Sequence, residues 1–472
     1  MNDSSSLEQE ILSNTTTNQN SPRKPYYLPR NDKLPIYLLS VSILLLVLYQ
    51  FHSLQSPKIL TGNGREDLKA AATSTKLRQS VTFLPLKDLR YAHTPTEGHT
   101  WFMSSINGTH EEGQPQHIHF PSDVSAGRVL CLAGQDPHDG SWNSYGLAWP
   151  ETLPENSTLL KDVTFVSYNQ YDYDNIWHGL SATMPFVAWH IKNTCGAGAL
   201  HTRWVLYHWG EVRTSMAPWL TTLLEATFGN WPLEIEPMDG YDDAHPVCFE
   251  EAVVMRHNEG GLPDNKRMEV YDLMRCKARM YCNVSSSSSD GFRIGLTLLM
   301  REGARSFKNA SAVIGIFENE CRKVEGCQLT VAYANNLTFC DQVKLMSLTD
   351  ILISAHGAQL TNVIFMDRNS SVMELFPKGF LEHAGVGQYV YHWLASWSGM
   401  RHEGVWRDPV GDQCPFPEND PRCMAVYKNN RVGHNETYFS EWAAKVLSSR
   451  KKLAMINASR NINPVTGLCG CS

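Results

Sequence analysis

The chain has no surplus of positive charge: 41 lysines and arginines stand against 48 aspartates and glutamates, a formal net charge of −7 over 472 residues. Without a basic excess there is little general attraction for a phosphate backbone, so nucleic acid is not an expected partner. The chain also lacks cysteine before Cys131, although it holds 12 in all. No pair of C-x-x-C knuckles occurs, and the close pairs Cys276/Cys282, Cys321/Cys327, Cys414/Cys423 and Cys469/Cys471 have unlike spacings. Zinc ligation is therefore disfavoured against disulfide formation, whose connectivity stays open at this stage. No internal repeat is present. At 42% hydrophobic residues the chain is globular rather than disordered, and its length allows two or three domains.

A different absence marks residues 34–57, which contain no Asp, Glu, Lys or Arg. A run of this kind, centred on Ile36 to Leu48, can cross a bilayer as one helix. A buried core helix or a cleaved signal peptide would be the alternatives. The 33 preceding polar residues are too many for a usual signal-peptide leader, and no clear A-x-A site follows, so an uncleaved anchor is expected at 34–54. The cysteines all follow this run, as do N-x-S/T sequons at Asn107, Asn156, Asn283, Asn309, Asn336, Asn369, Asn435 and Asn457. Together they point to an oxidising, glycosylating compartment. The expected topology is single-pass type II, with the Golgi or endoplasmic reticulum as location and the bulk of the chain lumenal.

Residues 1–33 read as a disordered cytosolic tail and 55–113 as a loop-like stem. A first folded region, 114–284, opens with the strand-like runs 128–132 and 163–167. The five serines Ser285 to Ser289 read as a linker. Beyond them, in 285–435, apolar strands at 293–300, 328–333, 350–354 and 371–376 alternate with helical stretches at 341–348 and 359–366. That order implies a parallel α/β sheet whose ligands bind beyond the carboxyl ends of the strands. A closing helix, Tyr438 to Lys452, and a tail make up 436–472. Its Phe439, Trp442, Ala443, Val446 and Leu447 share one face at helical spacing.

The chemistry-bearing residues follow those strands. Ser354-Ala-His356-Gly357-Ala358-Gln-Leu360-Thr361-Asn362 offers small residues and a helix N-terminus to an anion, the natural candidate being a phosphate-bearing ligand. His356 could equally be a satisfied core histidine. Arg301 and Arg305 put two guanidinium groups at a strand end, matched to phosphate oxygens or else solvated in a charged loop. Glu374 lies among apolar neighbours, where an unpaired carboxylate is costly; ribose hydroxyls or a buried arginine could partner it.

The segment Asp350 to Asn362, the following Glu374-Leu-Phe-Pro377 and the strand ending at Arg301 resemble glycosyltransferase family 61, over roughly residues 165–385. The resemblance implies an inverting, UDP-sugar-dependent transferase of the GT-B architecture, two Rossmann-like domains facing across a cleft. The first domain would be the acceptor side and the second the nucleotide-sugar side. It implies no cofactor and usually no metal, a UDP-sugar donor carrying xylose, N-acetylglucosamine or arabinose, and a glycan or glycoprotein acceptor. Arg301, Arg305, His356, Gly357, Ala358, Leu360, Thr361, Asn362 and Glu374 become the donor-binding set.

In the first region, Asn175-Ile-Trp-His178-Gly-Leu-Ser-Ala182 is similar to the family's Asn-x-x-His segment. Several members carry an acid where Ala182 stands here, so the base must be sought among His178, Asp172 and Asp174. His178 is preferred because an imidazole accepts a proton near neutral pH. Asp172-Tyr-Asp174 also matches the D-x-D by which other transferases hold a divalent cation, an alternative with metal dependence as its signature. A third reading is an inactive lumenal glycan-binding protein with the same fold.

Overall fold

The computed structural model describes residues 64–86 and, apart from short internal segments, 108–459, together with Cys469. The expected anchor at 34–54 and the serine run lie outside the described residues. No helix among the described residues is long and apolar enough to cross a membrane. Contacts divide the chain into two compact units, Met1–Ala71 and Ala72–Ser472, and both sheets described below belong to the second.

The elements in chain order begin with α1 (Gly64–Gln79), β1 (Leu84–Pro85), β2 (His117–Phe120), β3 (Val129–Ala133), β4 (Ser144–Ala148), β5 (Thr158–Tyr168) and α2 (Ile176–Asn193). Next come β6 (Arg203–His208), β7 (Glu211–Arg213), α3 (Pro218–Phe228), β8 (Glu234–Ile235), β9 (Val247–Met255) and α4 (Asp264–Tyr281). The later half runs β10 (Ile294–Met300), α5 (Ala310–Arg322), β11 (Cys327–Tyr333), α6 (Phe339–Ser347), β12 (Ile351–Ala355) and β13 (Ser371–Phe376). It ends with α7 (Phe380–Ala384), α8 (Val390–Trp397), β14 (Arg401–Arg407), α9 (Arg422–Asn429) and α10 (Glu436–Ser459).

The first sheet has nine strands in the order β1-β4-β3-β9-β5-β6-β7, with β2 also on β9 and β8 on β6. Only its middle, β9-β5-β6-β8, is parallel, while β1 to β4 and β7 add antiparallel strands. The expected Rossmann-like first domain is thus a mixed sheet. The stem expectation is corrected as well. The stretch 64–79 is helical, and Leu84 and Pro85 pair with Tyr145 and Ser144, so the folded part begins before residue 114. Short, mixed-composition pieces such as these carry no periodicity by which to find them.

The second sheet has five strands, all parallel, in the order β11-β10-β12-β13-β14. Its inner strands β10, β12 and β13 are buried along their whole length, which explains their unbroken apolar runs. The chain passes from β10 to β11 on one side and then returns to place β12 on the other. Strand order therefore reverses between β10 and β12, opening a crevice at their carboxyl ends, where doubly wound sheets receive ligands. The closing helix α10 buries Phe439, Trp442, Ala443, Val446 and Leu447 against this sheet, the face expected from the spacing.

Contacts between the two halves run through α4 and the segment after His356. Arg275 of α4, 7% exposed, donates from Nε to the Ile364 carbonyl (2.8 Å) and from Nη2 to the Ser398 carbonyl (2.6 Å). Trp219 of α3 donates to Asn362 Oδ1 at 3.1 Å. Described disulfides join Cys131–Cys248, Cys276–Cys469, Cys282–Cys340, Cys321–Cys327 and Cys414–Cys423. Two of the close sequence pairs are bonded to each other. Cys276 and Cys282 instead reach partners far along the chain, because they face different neighbours near the end of α4.

Candidate functional site

The reversal point brings together residues from five elements. Arg301 directly follows β10, and its Nη1 donates to the His356 carbonyl (3.1 Å) and to Gln359 Oε1 (3.2 Å). That guanidinium lies across the backbone at Gly357, where a Cβ would collide with it and sit 2.6 Å from Gln359 Oε1. Glycine is needed there for close approach. Arg305 adopts φ 60° and is anchored by its backbone N–H on the Asn430 carbonyl (3.0 Å), and its guanidinium lies 5.8 Å from the Phe380 ring centre.

Neither arginine forms an ion pair with a carboxylate among the described residues, and the Nε atom of each is buried without a hydrogen-bond partner. Burial lowers the affinity of Arg301 for its proton; for Arg305, burial and then the charge of Arg301 bring the value down to about 10. Two partly desolvated cations with unused donors, side by side, form a site shaped for an anion.

His356 is 6% exposed and Glu374 0%. His356 Nδ1 meets Glu374 Oε1 at 2.5 Å, while the other carboxylate oxygen, Oε2, meets His402 Nε2 at 2.9 Å. His402 comes from β14, paired opposite Val372, so it shares a sheet face with Glu374 two residues further on. Burial alone would raise the Glu374 value, but the hydrogen bonds from His356 and His402 outweigh it and hold the carboxyl below its ordinary range. This corrects the expected role of Glu374. With both oxygens occupied and no exposure, it supports His356 instead of meeting ribose hydroxyls, and its partners are two histidines, not an arginine.

The His356 ring is fixed between Phe376 (centres 5.0 Å apart), Phe380 (4.7 Å) and Tyr391 (5.1 Å). Tyr391 of α8 is 3% exposed, and burial pushes its phenol well above the usual range, with Glu374, Arg305, Thr361 and Arg301 all close. Its ring also touches Trp177 of α2 at 6.0 Å between centres, joining the site to the first half.

The remaining expected donor residues divide. Residues Ala358–Phe365 form a 3-10 helix whose preceding Gly357 provides no side-chain cap, where an α-helix was expected at 359–366. Ala358 is half-buried and Thr361 borders Tyr391. Leu360 is in the core and Asn362 is committed to Trp219 and the Gln359 carbonyl. These last two hold the halves together and do not face the arginines.

On the other side, His178 lies in the first turn of α2, whose N-cap Asn175 accepts from Trp177 N–H (3.1 Å). It stacks on Tyr171 (4.3 Å) and no carboxylate among the described residues partners it; burial, then the charge of Lys428, lower it to about 4. Asp172 accepts from the N–H of Tyr173 at 2.6 Å, and Asp174 is exposed. Among the described residues no cluster of three or more His, Cys, Asp or Glu has metal-ligating geometry.

Sequence reasoning missed His402, Tyr391 and Lys428. His402 could have been suspected as a polar residue opposite a buried strand. Tyr391 sits in an aromatic-rich stretch, Tyr389 to Trp397, where nothing distinguishes it from packing.

The model of the glycosyltransferase 61 family matches residues 176–373, covering α2, both arginines, His356 and all but the end of β13. Over that segment the chain is similar to glycosyltransferase family 61. It is 22% identical over 276 residues to alpha-1,3-arabinosyltransferase XAT2 of Oryza sativa subsp. japonica, 54% of this chain and 46% of that protein. It is 22% identical over 280 residues to XAT3 of the same plant, again 54% and 46%. Protein O-linked-mannose beta-1,4-N-acetylglucosaminyltransferase 2 of Mus musculus is 50% identical over 75 residues, 16% of this chain and 12% of that protein. The chain thus spans about half the length of the arabinosyltransferases it matches. The matched segment begins with the helix that carries His178 and ends one residue before Glu374.

Proposed function

We propose that this chain is an inverting glycosyltransferase that moves a sugar from a UDP-sugar onto a hydroxyl of a glycan or glycoprotein in the lumen of the secretory pathway. The carrying observation is the pair Arg301 and Arg305, half-buried at the strand-order reversal, with the Nε of each buried and unpartnered and no carboxylate partner among the described residues. In a single displacement the acceptor oxygen attacks the anomeric carbon while negative charge grows on the departing diphosphate. Preorganised cations at that position stabilise the transition state more than the ground state. Gly357 keeps the backbone out of the way, and His356 is aligned by Glu374.

The acceptor-side base is His178. It is neutral at physiological pH, hence able to accept a proton, although its lowered value makes it a weak base. Tyr171, stacked on it and 62% exposed, gives the acceptor an apolar surface at the same place. The donor and acceptor sugars named for the relatives set the first panel: pentose and N-acetylglucosamine nucleotides. A lumenal location is supported by the disulfides among the described residues and by the exposure of Asn156, Asn283, Asn309, Asn336, Asn369 and Asn435 in their sequons. The anchor at 34–54 would tether it as a single-pass type II protein, and no cofactor is required.

The test is UDP release by the purified chain across UDP-sugars, with and without EDTA. Release from one sugar, insensitive to chelator and lost in Arg301→Ala, is expected. Release abolished by EDTA would transfer the proposal to Asp172 and Asp174. UDP binding without turnover on any acceptor would favour an inactive glycan-binding protein.

A further inference from the structure

Glu374 is acceptor-only while ionised, and both of its oxygens are met by imidazole nitrogens. His356 therefore keeps its proton on Nδ1 and His402 keeps one on Nε2. The second nitrogen of His356, Nε2, has no hydrogen-bond partner among the described residues. Glu374 from β13 and Tyr391 from α8 meet this ring, Arg301 from beyond β10 reaches the His356 carbonyl, and Arg305 stands close to Tyr391 and Phe380. Behind the carboxylate stand His402 from β14 and His392 from α8, whose ring centre is 5.0 Å from that of His402. Tyr391 stays uncharged because burial raises its phenol.

Without an anion, a proton on Nε2 would add a third cation beside two partly desolvated guanidiniums. A diphosphate reverses that balance. Its negative charge faces Nε2 from one side while the Glu374 carboxylate faces Nδ1 from the other, so both surroundings favour the imidazolium.

We propose that His356 takes up a proton at Nε2 when a nucleoside diphosphate enters, and that Glu374 and His402 are the positioning residues that make this possible. The proton comes from solvent, forms an N–H bond on the Nε2 lone pair, and is shared in a hydrogen bond with a phosphate oxygen. It returns to solvent when the diphosphate leaves. The inference rests on the donor reading given above, and makes that site's diphosphate affinity fall as pH rises.

The experiment is calorimetric titration of the full chain with UDP at pH 7 in two buffers of different ionisation enthalpy, which counts protons taken up. Wild type is expected to take up roughly half a proton or more beyond the His356→Gln variant, which subtracts any change in UDP itself. Glu374→Gln should lose most of this difference. His402→Gln, whose amide can still donate to Glu374, should keep it, and His402→Leu should reduce it. Equal uptake in wild type and His356→Gln, with UDP still bound, overturns this inference and leaves the donor reading standing. Failure of wild type to bind UDP overturns both. Uptake kept equally in His402→Gln and His402→Leu would remove His402 from the positioning role. Melting curves for each variant separate these effects from misfolding.

Discussion

His356 lies in the second half and His178 in the first, joined through the contact of Trp177 with Tyr391, yet their surroundings differ in kind. His356 stands at the end of a buried parallel strand, with a carboxylate on one nitrogen and aromatic rings around it. His178 is at the first turn of a helix, stacked on a tyrosine that is 62% exposed, with a lysine as its nearest charge. The first is held by groups that could not move without breaking the sheet. The second is held by one ring and a helix cap. Rigid placement suits the diphosphate, whose chemistry is common to all nucleotide donors, while the looser side suits an acceptor that differs between relatives.

Four measurements would break or sharpen that contrast. The largest effect is expected from Glu374→Leu, which strands two buried imidazoles and should cost about 3–5 kcal/mol in denaturant unfolding. Its native value is lowered, so the stabilisation is complete above the ordinary 4.5 and is lost as acid takes the pH down through the native value. Arg301→Ala should weaken UDP binding roughly 10- to 100-fold, the worth of a charge-assisted hydrogen-bonded pair, whereas His178→Ala should change it less than about threefold. Equal losses in the two variants would dissolve the distinction between the sides. Gly357→Ala should weaken UDP binding by roughly tenfold and lower the melting temperature, because a side chain is strained at this backbone conformation and its Cβ displaces the end of Arg301.

The smallest effect concerns pH. His178 and His190, both lowered to about 4, the second by burial and then Lys277, reject a proton in the folded state that the unfolded chain binds near 6.5. Their stabilisation is present above 6.5 and declines as pH falls towards 4. The melting temperature should drop over that window, and the double variant His178→Gln/His190→Gln should flatten the drop.

The strands of the second sheet were legible because burial on both faces writes a long apolar run; Arg301 and His356 directly follow two of these runs, and Glu374 interrupts a third. The shortest strands of the first sheet were not, since β1, β7 and β8 have two or three residues each and β1 owes its form to a partner far along the chain. The same reason hid His402. Its pairing with Val372, beside a register shift, is a tertiary fact, and so the role of Glu374 was misread from composition alone. Residues 359–366 read as a helical stretch from their place between two strands, and anchoring by Trp219 and Arg275 accompanies the tighter 3-10 form found there.

The bond between Cys282 and Cys340 closes a loop of chain that contains the five serines. A protease that nicked this run would yield two fragments migrating as one species on a non-reducing gel. The fragments would separate only with reductant. A processed form of this protein could therefore retain its whole crevice, intact across the cut, while its peptide backbone was no longer continuous.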